Sequence, residues 1–128
     1  MPFSLSLIGK DPSGVVLIAA KGEARFSDFF LPGGNPRAHF DVLLGENWAK
    51  QRVLVSMDEV SYLVSSAIGW LLTSQKEFHA AGGHLVIHSV QPSVLGILSL
   101  LKVEKVVPIA QDLEAGRLLQ IQQADAAV

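Results

Sequence analysis

Cysteine is absent from this 128-residue chain. That excludes disulfides, thiol nucleophiles and thiolate metal centres, and it suits a reducing compartment. Charge is sparse too. Asp, Glu, Lys and Arg make up 17% of residues, the net charge is -2, and the ten Lys and Arg form no block. Nucleic acid is attracted by a dense cationic face, so no nucleic-acid partner is expected. Long apolar runs are lacking; Val15 to Ala20 is far too short to cross a bilayer, so no direct membrane insertion is expected. The start, Met1 to Lys10, has neither the cationic opening nor the apolar stretch of a signal peptide, and a soluble, cytoplasmic protein is the expectation. No Gly-Lys-Ser/Thr or GxGxxG cradle is present, and no Ser-His-Asp order can be assigned, so no cofactor and no enzymatic activity are expected.

What is present is apolar side chain, 49% of the sequence, enough for one well-packed domain spanning residues 1–128. Phe3, Leu5 and Leu7 alternate with Ser4 and Ser6, the period of a half-solvated strand. Asp11-Pro12-Ser13-Gly14 is a turn, and Val15 to Ala20 a more buried strand, the first one's hairpin partner. Residues 26–36 form an irregular Pro/Gly loop in which Phe26, Phe29 and Phe30 either plug the core or face a partner. Asn35-Pro36 reads as a cap and first helical position. Phe40, Leu43 and Leu44 then make one stripe, and Gly45 closes the helix.

Val53 to Met57 is the next strand. The longest helix opens at Ser65, with Ile68, Leu71, Leu72, Gln75 and Phe78 on one face, and ends at Gly82-Gly83. His84 to His88 alternates as a strand, Pro92 starts a helix carrying Val94, Leu95, Leu98 and Leu101, Val106-Val107 is a short strand, and Asp112 caps a last helix. A frayed tail is expected after Gln120. Strands that alternate with helices predict an α/β fold, a mixed and mostly parallel sheet with about four helices chiefly on one face.

Few side chains suggest chemistry. His84 and His88 would stand about 13 Å apart along a strand, too far for one metal. His39 and His79 could join them only through the tertiary fold, so all read as surface histidines and no metal site is expected. Asp58-Glu59 reads as a solvated loop. Ser65 caps the helix or serves a regulated surface. Trp70 lies off the helix stripe and either covers a neighbouring helix or meets a partner.

The segment from Val53 to Leu72 resembles the signature of the STAS family, which includes the bacterial anti-anti-sigma factors. The resemblance rests on Val53-Leu54-Val55, Val60, Ser65-Ser66 and Ile68-Gly69. It extends to Gly22-Glu23, to Ala80-Ala81-Gly82-Gly83-His84-Leu85-Val86-Ile87, to Leu100 through Ile109 and to Asp112-Leu113-Glu114-Ala115, and so covers about residues 3 to 120. It implies a non-enzymatic antagonist that binds a GHKL-type serine kinase acting as anti-sigma factor. Ser66 would be the phospho-acceptor, with Ser65 the alternative. The partner surface would comprise Ser61, Tyr62, Val64, Ser65, Ser66, Ala67, Ile68, Gly69 and Trp70.

Three acids common in that family are replaced, by Arg25, Ser56 and Val64, and the glycine after the serines is Ala67. The losses put phosphorylation in question and leave Arg25 as a candidate anion contact. Two further readings share the resemblance: a structural STAS subunit of a membrane lipid-transport complex, and a small-ligand or nucleotide sensor with a concave site near Arg25. A homodimer is left open.

Overall fold

The computed structural model describes residues 3–25 and 39–126, with side chains up to Ile121. The phenylalanines of the Pro/Gly loop and the Asn35-Pro36 cap lie outside the described residues. Strands β1 (Ser4–Lys10), β2 (Val16–Ala24), β3 (Arg52–Leu63), β4 (His84–His88) and β5 (Ile109–Ala110) form one sheet in the order β1-β2-β3-β4-β5. Only β1–β2 is antiparallel; the other three pairs are parallel. Helices α1 (Phe40–Leu44), α2 (Ser65–Ala81), α3 (Pro92–Leu100) and α4 (Leu113–Ala126) complete the expected order.

Helices α1, α2 and α3 pack on one face, where Val53, Val55, Leu85 and Ile87 point into the main core with Ile68, Leu71, Phe78, Val94 and Leu98. α4 takes the other face over Val15, Leu54 and Val86. Sandwiched between these layers, β4 is buried at all five residues. Its histidines are therefore interior, His84 and His88 being 5% and 6% exposed. The expectation of surface histidines fails because the strand is central and carries helices on both sides.

Four further expectations shift. β3 runs on through Asp58-Glu59 to Leu63, so that pair lies in a strand and not in a loop. It carries two residues more than its β2 partners, between Ser56 and Glu59 and between Val60 and Tyr62, and bulges of this kind obscure a simple alternation. The last strand is Ile109–Ala110, because Val103–Lys105 form a 3₁₀ turn and Val106-Val107 leave it. At β1 the alternation stops at a bulge between Leu7 and Gly9, and Leu7 and Ile8 are exposed. The final helix continues to Ala126, beyond Gln120 where the tail was expected.

Two buried glutamines hold β4 from opposite faces. β5 is too short to reach Leu85, whose N–H and C=O point to the β5 side. The Gln75 amide replaces the missing strand: Leu85 N–H donates to Gln75 Oε1 at 2.9 Å, and Gln75 Nε2 donates to Leu85 O at 2.9 Å and Val106 O at 3.0 Å. From α4, Gln120 Nε2 donates to Val53 O at 2.8 Å and His84 O at 3.0 Å. Asp112 caps α4 as expected, accepting from Ala115 N–H at 2.9 Å. The β1–β2 turn is tied to α4 by Asp11, which accepts from Ser13 N–H, Ser13 Oγ, Val15 N–H and Arg117 Nε. Burial pushes that carboxyl's pKa up, but these four donors outweigh it and leave the pKa below its ordinary value.

Candidate functional site

The end of β2, the bulged second half of β3 and the start of α2 meet at the carboxyl ends of the parallel strands, where open α/β sheets present their crevices. Val64 N–H donates to Ala24 O at 3.0 Å, which pins the start of α2 beside the end of β2. Glu23, Arg25, Ser61, Tyr62 and Val64 line a cavity of about 410 Å³ there.

α2 begins without a side-chain cap. Its N-cap residue is Val64, whose side chain cannot accept, and the first turn holds no acidic residue. Ser65 is thus the first helical residue and not the cap. Val64 O receives the amides of Ala67 and Ile68. A helix start with no capping acceptor keeps its positive end available to whatever approaches.

The nine expected contact residues divide by exposure. Ser61, Tyr62 and Ser65 are exposed, Tyr62 by 50%. Val64, Ser66, Gly69 and Trp70 are half-buried. Ala67 and Ile68 are 0% and 5% exposed and belong to the core, so they support the surface without forming it. The two serines differ sharply: Ser65 is exposed, whereas Ser66 Oγ is turned inward, buried and without a hydrogen-bond partner. Trp70 covers a neighbouring helix. Its ring stacks on Phe40 of α1 with centroids 5.2 Å apart and meets Phe3 edge-on at 5.9 Å. Arg25 is exposed and its guanidinium donates to the Glu23 carboxylate, so its charge is locally compensated. That cation beside Glu23 holds the Glu23 carboxyl below its usual pKa.

Gly69 belongs to the stretch that resembles the family signature, and its surroundings in the fold show what a glycine there does. A side chain built there would meet nothing within 4 Å, so this chain's own packing does not require glycine. A glycine inside a helix costs roughly 0.5–1 kcal/mol relative to alanine. One turn after the exposed Ser65, it leaves a shallow place on α2 where another backbone can come close.

At the far end of α2 the fold joins His79 to His84, which sequence spacing did not link. Nε2 of one and Nδ1 of the other are 2.9 Å apart. The ring centroids are 5.1 Å apart and the planes differ by 3°. That centroid spacing is the nitrogen separation plus a ring radius on each side. The rings therefore lie side by side in one plane, joined by an N–H···N hydrogen bond, and are not stacked. These two nitrogens, one donor and one acceptor, are spent on each other and do not converge on a third point. Among the described residues no cluster of three or more metal-ligating side chains occurs. Burial, then the neighbouring His79 and Arg52, lowers the His84 pKa to about 4. Burial likewise lowers that of His88. Among the described residues no helix is long and apolar enough to cross a membrane.

The whole arrangement has counterparts among solved structures. A Thermotoga maritima protein assigned as an anti-sigma factor antagonist superimposes with a TM-score of 0.69, at 18% identity over 93% of this chain and 94% of that one. An anti-sigma-factor antagonist (STAS) domain protein from Planctomyces limnophilus gives a TM-score of 0.62, at 16% identity over 97% and 99% of the two chains. Among curated protein sequences none matches. The STAS domain model matches residues 33–116, well over half of the sequence. Sheet order, the serine-led helix on the bulged third strand and this match agree, and the chain belongs to the STAS domain family.

Proposed function

We propose that this chain is a non-enzymatic, cytoplasmic regulator of the anti-sigma factor antagonist kind, which binds a GHKL-type serine kinase through the start of α2. The observation that carries the reading is the uncapped, exposed helix start at Ser65, with Gly69 one turn further on and with no packing reason of its own. Both features cost stability within the chain, and both favour close approach of another molecule. Tyr62 beside them supplies half-exposed aromatic surface of the type enriched at binding hot spots.

Regulation follows from the same geometry. Phosphate carries about -1.5 to -2 charge at neutral pH and would be held by the free amides at this helix start. The fold would tolerate it, whereas an acidic or apolar partner surface would not. Ser65 is exposed and is the residue we place at the interface; Ser66 would have to turn its buried oxygen out first. With Val64, Ser56 and Arg25 in place of the acids that the family resemblance implies, the chain binds its partner constitutively or is regulated by other means.

Calorimetric titration of the purified chain into the GHKL-type kinase of the same organism tests this. Wild type binds, Ser65→Glu and Gly69→Leu bind at least tenfold more weakly, and Ile121→Glu on the opposite face binds normally. Equal affinities for all four proteins would remove α2 from the interface. With ATP present, intact mass and peptide mapping show whether either serine gains a phosphate.

A further inference from the structure

The outer face of α3 is unlike the solvent face of an ordinary helix. Its nine residues, Pro92–Leu100, include no charged side chain. Val94 and Leu98 point into the core, and the outer side carries Ser93, Gly96, Ile97, Ser99 and Leu100. Ile97 is 43% exposed and Leu100 80%, and Leu101 and Val106 just beyond are 55% and 45% exposed. A surface helix normally turns a polar face to water, and a contiguous apolar patch marks an interaction site. Gly96 adds an independent sign: a side chain there would meet nothing within 4 Å, so nothing in this chain calls for glycine in mid-helix.

We propose that this face is a homodimer interface, formed by α3 against α3 of a second copy in antiparallel register. The patch complements itself. Leu100 is a knob and Gly96 a hollow, one turn apart on the same face, about 6 Å along the axis. A two-fold axis between them seats each Leu100 over the other copy's Gly96, the reciprocal contact that an isologous interface demands.

Charge fits the same pairing. Gln91, which precedes α3, donates to Asp58 O at 2.9 Å, so the exposed Asp58 stands at the helix's N-terminal end. Lys102 and Lys105 stand at its C-terminal end with Glu104 between them, all three exposed, which leaves that end with one net positive charge. Antiparallel pairing brings the lysines of one copy toward Asp58 of the other, while a parallel arrangement would set like charges together. One short helix gives a small interface, so the dimer is weak and concentration-dependent. These residues take no part in the proposed kinase surface, and the two readings stand separately.

Sedimentation equilibrium from about 10 µM to about 1 mM spans the range where so small an interface assembles. Wild type is expected to shift from monomer toward dimer. Leu100→Glu and Gly96→Leu should each raise the dissociation constant at least tenfold with unchanged circular dichroism, since both positions are exposed. Lys102→Glu with Lys105→Glu should weaken the dimer, and adding Asp58→Lys to that variant should restore it. A wild type that stays monomeric throughout overturns the proposal, as does a dimer that survives Leu100→Glu or is lost instead on Ile8→Glu at the β1 edge. Co-sedimentation of monomeric wild type with anionic vesicles, abolished by Leu100→Glu, overturns it in favour of a lipid surface.

Discussion

Helices α2 and α4 lie on opposite faces of one sheet and grip the same strand, each with a buried glutamine and each with a glycine. The glutamines are alike in purpose and the glycines are not. On α4, a side chain at Gly116 would come within 2.5 Å of Leu54 Cδ1, so the glycine lets the helix settle on the sheet. On α2, Gly69 meets nothing. One helix spends its irregular residue on its own core, and the other leaves its irregularity to the outside. The difference supports the proposed partner surface on α2, because local sequence choices that conflict with stability concentrate where function needs them.

The largest expected effect tests the likeness between the glutamines. Gln75→Leu strands the N–H and C=O of Leu85 in the interior, and should lower unfolding stability by about 3 kcal/mol in urea titration. Gln120→Leu removes one donor from two carbonyls and also an unpartnered buried Oε1, and should cost only about 1 kcal/mol. Equal losses would mean that Gln75 does not stand in for a strand.

Next in size is an acid sensitivity of the α2–β4 junction. The His84 pKa falls from 6.5 to about 4 on folding, so between those values the unfolded chain binds more protons than the native one. Stability is then fully present above pH 6.5 and is lost as pH falls toward 4, by roughly 3 kcal/mol from this group. His88, whose pKa burial also lowers, acts in the same direction. His84→Gln should flatten the dependence of thermal midpoint on pH between 6.5 and 4, and an unchanged slope would place the sensitivity elsewhere.

How much of this the sequence revealed depends on whether the cause was local. The order of strands and helices was legible because the stripe of α2 and the start of β1 record which side meets the core, and turn and cap residues mark where elements begin. Gln75 was visible as a polar break in an apolar stripe, but its role depends on how short β5 is, which no local pattern expresses. The extent of β3 was hidden by two bulges that shift the alternation just where Asp58-Glu59 suggested a loop. The histidines were misjudged because His84 and His88 alternate with apolar residues as in a half-exposed strand, while helices on both faces bury them. At the site, the resemblance pointed to the start of α2, which the fold sets beside the ends of β2 and β3. The inward turn of Ser66 Oγ and the core placement of Ala67 and Ile68 needed coordinates.

The smallest effects separate the two helices most sharply, because they differ in sign. Gly116→Ala should destabilise by about 1 kcal/mol, since its Cβ must displace the fully buried Leu54. Gly69→Ala and Gly96→Ala should each stabilise by about 0.5–1 kcal/mol, since alanine is the better helix former and both sites have room. For Gly69→Ala, a small gain in thermal midpoint should accompany a measurable loss of kinase affinity, because the added methyl stands where the partner's backbone must approach. That opposition is the signature of a residue kept for binding and not for folding. If Gly69→Ala gained stability and bound as tightly as wild type, the glycine would have no partner to answer to, and the contrast between α2 and α4 would reduce to chance.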